Sequence, residues 1–147
     1  MPGTPPGTRH GTNAALGGGG FHHVAVRVHD FDAALRFYTG ALGFTERIAW
    51  GEGDTRAAML DVGDGNYLEL FAGGSPEPKP QGAVLHLALR TADCDAAIAR
   101  ARAAGAQVTL EPKDVNIPSS PHPVPARIAF CKGPAGEVIE FFQNDLT

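Results

Sequence analysis

Between Phe21 and Val28 the chain alternates. Val24, Val26 and Val28 fall on one side, and His23, Ala25 and Arg27 on the other. A period of two predicts a strand with one packed face. The period then changes: Phe31, Leu35, Tyr38 and Leu42 recur at helical spacing. Asp30 or Asp32 stands where an N-cap is wanted, and Gly43 where a helix stops. Strands are predicted next near Phe44–Trp50, Arg56–Val62 and Tyr67–Phe71. The same order then recurs: a strand at Leu85–Arg90, a helix from Asp95 to Ala104 stopped by Gly105, and strands near Gln107–Leu110, Arg127–Cys131 and Val138–Phe142. Pro112 to Pro125, rich in proline, reads as a loop.

The recurrence is visible residue by residue. His23-Val-Ala-Val-Arg-Val-His-Asp-Phe-Asp-Ala-Ala-Leu35 lies 63 positions before His86-Leu-Ala-Leu-Arg-Thr-Ala-Asp-Cys-Asp-Ala-Ala-Ile98, with seven of thirteen residues identical. Gly65-Asn-Tyr-Leu-Glu-Leu-Phe71 matches Gly136-Glu-Val-Ile-Glu-Phe-Phe142 at an offset of 71, and the extra eight residues fall in the Pro-rich stretch. The chain therefore reads as an α+β protein of two βαβββ modules, 21–75 and 82–144, within one domain spanning 21–147. Residues 1–20, with seven glycines and three prolines, read as a flexible tail with no apolar core of a secretory signal.

Composition narrows the functional classes. Twelve basic against sixteen acidic residues give a net charge of −4, which argues against nucleic acid or an anionic membrane as partner. No apolar run is long enough to span a bilayer. Cys94 and Cys131 are the only cysteines, so a disulfide scaffold and a four-cysteine zinc site are excluded. A reduced pair in the cytoplasm is the expectation. HExxH, CxxC and GxSxG motifs are absent.

The strand faces carry the chemistry. Leu68 and Leu70 take the helix side of their strand, so Glu69 shares the open face with His23; Ile139 and Phe141 place Glu140 likewise, with His86. A lone strand histidine or glutamate is usually an ordinary hydrogen-bonded or solvated residue. A His/Glu set that recurs at matched places is different. Two carboxylates converging to ~4 Å repel by about 4 kcal/mol at an effective dielectric near 20, and a divalent cation removes that repulsion. Two imidazoles and two carboxylates suit a first-row divalent metal with two positions left for water or substrate. His22, on alternation, points to the other face and aligns with Leu85. His10, His29 and His122 belong to no repeated pair, and Cys131 aligns with Leu60 as packing.

His23-x-Ala-Val-x-Val-x-Asp, Phe37-Tyr38 and Leu42-Gly43-Phe44 resemble the opening signature of the vicinal oxygen chelate superfamily, also called the glyoxalase/bleomycin-resistance/dioxygenase family. Ile128-Ala-Phe130, Pro134, Gly136 and Ile139-Glu140 resemble its closing motif. The resemblance covers roughly residues 21–142. It implies paired modules whose mixed sheets curve into a half-open barrel around a metal, with ligands at His23, Glu69, His86 and Glu140. The ligand set is most similar to that of bacterial glyoxalase I. Arg27 stands where that enzyme has an arginine contacting a glutathione carboxylate. Gly73 departs from the asparagine found there.

The resemblance implies a lyase or isomerase that removes a proton next to a carbonyl and uses one divalent ion (nickel, cobalt, zinc, manganese or iron) as Lewis acid for the enediolate. Glu140 is the expected general base and Glu69 the second acid/base candidate. Arg27, Arg90 and Trp50 are expected to contact a small-molecule substrate, with Met59, Tyr67, Phe71, Phe130 and Phe142 as candidate cavity walls. A homodimer is expected. The alternatives are a drug-sequestering binding protein, a methylmalonyl-CoA epimerase-like enzyme and a ring-cleaving dioxygenase.

Overall fold

A computed structural model describes residues 12–17, 21–77, 79, 82 and 84–147. The chain divides into two compact units, Met1–Ser75 and Pro76–Thr147. Most of the 1–20 segment lies outside the described residues. Within it, Asn13 caps a single exposed 3-10 turn, Ala14–Leu16.

The first unit holds β1 (His23–Arg27), α1 (Phe31–Arg36), β2 (Thr45–Trp50), β3 (Ala57–Asp61) and β4 (Tyr67–Phe71). Its sheet order is β1-β4-β3-β2, with β1 parallel to β4 and the other pairs antiparallel. The Asp30 carboxylate accepts a hydrogen bond from the Ala33 N–H at 3.0 Å and so starts α1. The apolar spacing from Phe31 to Leu42 predicts one continuous helix. Instead α1 widens after Arg36 into a π-helical turn, Phe37–Ala41, which turns Phe37 and Tyr38 inward, before Gly43 reverses the chain at φ +73°. The core is Val28, Ala34, Tyr38, Leu60 and Leu70, with Tyr38 stacked on Phe44 at 5.3 Å.

The second unit repeats the plan with β5 (Leu87–Arg90), α2 (Cys94–Ala103), β6 (Gln107–Ile117), β7 (Val124–Lys132) and β8 (Val138–Gln143), in the order β5-β8-β7-β6. Asp93 caps α2 as Asp30 caps α1, accepting from the Ala96 N–H at 3.0 Å. The α+β class and the two βαβββ units are those read from the repeat. Composition misled in one place: Pro112 to Ile117 is strand, and the connection shrinks to residues 118–123. Proline survives there because β6 is the outer strand of its sheet. The register also slips between Leu110 and Lys113, leaving Pro112 outside the ladder, where its missing N–H costs no pairing.

One ion pair recurs in both units. Arg56 on the approach to β3 meets Asp32 in the first turn of α1 at 2.9 Å, and Arg127 in β7 meets Asp95 in the first turn of α2 at 2.6 Å. Arg127 also reaches Asp114 at 3.0 Å. Each arginine ties the start of a helix to the sheet beneath it. Among the described residues no helix is long and apolar enough to cross a membrane.

Candidate metal centre

Cross-strand register fixes which side chains share a face, because residues directly opposite point the same way. In the first unit one row runs Ala25, Glu69, Met59, Ile48, and the next runs Arg27, Phe71, Ala57, Trp50. In the second unit the equivalent rows are Ala88, Glu140, Phe130, Leu110 and Arg90, Phe142, Ile128, Lys113. The face carrying His and Glu is the one that the sequence assigned to them.

Among the described residues, Glu69 and Glu140 are the polar side chains buried with the core, each 8% exposed. A buried carboxylate needs a partner, and each has a histidine. His23 Nε2 lies 3.0 Å from Glu69 Oε2, and His86 Nε2 lies 3.0 Å from Glu140 Oε2. Both pairs use the same ring nitrogen and sit more than one third open on the histidine side. The surroundings differ. His86 meets the Phe130 ring edge-on at 5.5 Å, whereas His23 meets the His22 ring at 5.2 Å. Burial pushes the Glu140 carboxyl above the usual carboxylate range, opposed by the charge of His86.

The spacing within each pair is that of two neighbouring donors on one divalent ion. Two donors at right angles on an ion ~2.1 Å from each stand about 3.0 Å apart, which is the separation seen here. It is equally a hydrogen-bond distance. Among the described residues no group of three or more His, Cys, Asp or Glu side chains gathers at one point. Each unit brings together one histidine and one glutamate of the four expected ligands.

The expected substrate contacts of the first unit cluster around Phe71. The Arg27 guanidinium lies 5.4 Å from the Phe71 ring centre and donates to the Ala72 carbonyl at 2.8 Å, and Trp50 meets Phe71 edge-on at 6.3 Å. Arg90 is exposed at the end of β5, in the same row as Phe142. Gly73 follows at φ +80°, and a Cβ there would stand 3.0 Å from the Asp54 carbonyl oxygen. Sequence reasoning missed Ile48 and Leu110, which extend the glutamate rows. Alternation from Trp50 back to Ile48 was the available signal. It also misplaced His22, which precedes β1 and turns its ring to His23 instead of the opposite face. The ladder begins only at His23↔Tyr67, so strand alternation does not govern the residue before it.

The family model of the Glyoxalase/Bleomycin resistance protein/Dioxygenase superfamily matches residues 20–141, and the chain belongs to that superfamily. It is 34% identical over 126 residues to the uncharacterized protein YwbC of Bacillus subtilis (strain 168), covering 83% of this chain and 95% of that one. It is 32% identical over 128 residues to a probable lactoylglutathione lyase of Vibrio cholerae serotype O1 (strain ATCC 39315 / El Tor Inaba N16961), covering 83% and 88%. Among solved structures it is similar to an antibiotic binding protein from Streptomyces sp. CB03234, with a TM-score of 0.63, 27% identity, and coverage of 86% and 97%.

Proposed function

We propose that this protein is a metal-dependent lyase or isomerase of the glyoxalase I type, acting by proton abstraction next to a carbonyl. The observation that carries the reading is the duplicated buried pair: two glutamates, each 8% exposed, each 3.0 Å from a histidine Nε2. Similarity to a probable lactoylglutathione lyase supports the same reaction class. His23, Glu69, His86 and Glu140 together hold one divalent ion, of nickel, cobalt, zinc, manganese or iron. When bound, the ion supplies Lewis-acid stabilisation of adjacent substrate oxygens.

The chain's own residues do the rest. Glu140 takes the proton from the carbon next to the carbonyl and returns it to the neighbouring carbon. Its burial and its Phe130 neighbour favour this role, because a carboxyl raised by desolvation is a stronger base at neutral pH. Glu69 is the second acid/base group. Arg27 and Arg90 bind a carboxylate of the substrate, and Trp50 with Phe71 packs its apolar part. Residues 21–147 work as one domain, and the protein assembles as a homodimer in the cytoplasm.

Likeness to an antibiotic binding protein favours a second reading, a small-molecule binder without turnover. Elemental analysis of untagged protein, joined to solvent-hydrogen exchange into hemithioacetal and α-hydroxycarbonyl substrates, separates the two. The lyase reading expects about one divalent ion per chain and exchange that depends on it. Protein with no ion, inactive after loading with each of the five metals, overturns it in favour of the binder.

A further inference from the structure

His22 is held on three sides. Its Nδ1 lies 3.0 Å from Nδ1 of His23. Its ring lies tilted against Tyr67 at 5.3 Å, and its carbonyl accepts from the Tyr67 N–H at 2.8 Å. Meanwhile His23 directs its other nitrogen, Nε2, at the Glu69 carboxylate. No such arrangement exists in the repeat, because Leu85 stands at the position equivalent to His22, and His86 is braced by the Phe130 ring instead.

The donors and acceptors can be counted. An ionised carboxylate only accepts, so the neutral His23 ring carries its hydrogen on Nε2 and leaves Nδ1 bare. Two ring nitrogens 3.0 Å apart share one hydrogen, so His22 donates it from its own Nδ1. If His23 instead gives Nε2 to an ion, its ring must carry hydrogen on Nδ1, and His22 must then accept. The same pair of nitrogens serves both states with the direction of the bond reversed.

We propose that His22 is a positioning residue for His23: the Nδ1···Nδ1 hydrogen bond fixes the ring plane of His23, and its polarity reverses when a divalent ion occupies Nε2. The proposal rests on the metal reading above. The protons balance at constant charge. The Nε2 hydrogen of His23 leaves to solvent, the hydrogen of His22 Nδ1 passes to His23 Nδ1, and solvent returns one to His22 Nε2. The two units thus prepare their histidines by different means, one through a hydrogen bond and the other through an aromatic edge.

The test uses the full chain with ¹⁵N-labelled histidine, free of metal and then loaded with zinc, at a fixed pH above neutrality. Long-range ¹H–¹⁵N spectra are expected to show His23 protonated at Nε2 and His22 at Nδ1 without zinc. With zinc, His23 is protonated at Nδ1 and His22 at Nε2. His22→Phe keeps a ring against Tyr67 but removes the bond. It should leave the metal-free His23 hydrogen on Nε2, facing the Glu69 carboxylate, and weaken zinc binding about 10–100-fold in a chelator competition, the usual effect of losing a ligand's supporting partner. His22→Asn, whose amide can donate or accept, should restore most of the affinity. Unchanged zinc affinity in folded His22→Phe overturns the proposal, as does a folded His22→Asn no better than His22→Phe. Zinc that shifts neither His23 nor His86 in the unaltered chain overturns the metal reading, and the proposal with it.

Discussion

Cys131 occupies in β7 the place that Leu60 occupies in β3. Both are fully buried, and each faces an aliphatic residue of the next strand, Ile139 for Cys131 and Leu68 for Leu60. The thiol is therefore a core side chain. Burial pushes it up to about 11. At neutral pH only about one thiol in ten thousand is then ionised. Cys94, also fully buried, directs its Sγ at the Phe141 carbonyl at 3.6 Å, and burial raises it too. Neither cysteine is expected to react with a disulfide reagent in the folded protein, while both react in denaturant. A timed thiol assay under both conditions checks this.

Truncating the Leu60 side chain should unfold the first unit readily. Leu60→Ala removes a fully buried side chain from the sheet–helix core and is expected to cost about 2–5 kcal/mol. Arg127→Met should lower the melting temperature far less, since the Asp95 carboxylate is well exposed and Arg127 is only half-buried. Its effect should shrink as salt rises, whereas that of Leu60→Ala should not. Melting curves at two ionic strengths separate the cases.

The Asp61 turn sets an acid limit on stability. Burial works to raise the Asp61 carboxyl, but the N–H groups of Gly63 at 2.8 Å and Gly65 at 3.3 Å, with the Arg47 guanidinium at 3.6 Å, outweigh it and hold the group below its ordinary value. A lowered folded value means that the unfolded chain binds the proton more readily, so stability from this group is present above the unfolded value of 3.8 and is lost as pH falls through the folded one. Asp61→Asn should be less stable than wild type at neutral pH. The difference should close in strongly acidic solution, followed by urea unfolding across pH.

The two glutamates should separate in function. Glu140→Gln keeps an oxygen that can ligate, so metal content should largely persist while proton abstraction falls roughly 10²–10⁴-fold. Glu69→Gln should lose less. Solvent-hydrogen exchange reports the difference, and exchange that survives in Glu140→Gln but vanishes in Glu69→Gln reverses the roles. His86→Ala should lower bound metal more than any change at His22, because the proposed reading makes His86 a ligand and His22 only the partner of one.

The repeat made much of this legible. A strand period of two assigns His23, Glu69, His86 and Glu140 to open faces, and the structure then pairs them within each unit at one common distance. Side-chain periodicity cannot show what lies outside a regular ladder. His22 precedes β1, and Pro112 sits in a register slip, so alternation misdirected the first and composition the second. The Asp32–Arg56 and Asp95–Arg127 ties were present in the sequence at offsets of 63 and 71. Charge spacing along the chain does not reveal a contact between a helix and a strand, so they went unread.

The backbone at Gly73 gives its departure from the expected asparagine a mechanical basis. At φ +80°, with the Asp54 carbonyl oxygen 3.0 Å from where a Cβ would stand, the backbone here is shaped around the lack of a side chain. Installing the asparagine that glyoxalase I resemblance calls for would strain the turn and press on the Gly53–Thr55 segment at once. Placing asparagine at this point is therefore more than an exchange of one side chain. A mutational path toward it has to rebuild a loop before it can gain a contact.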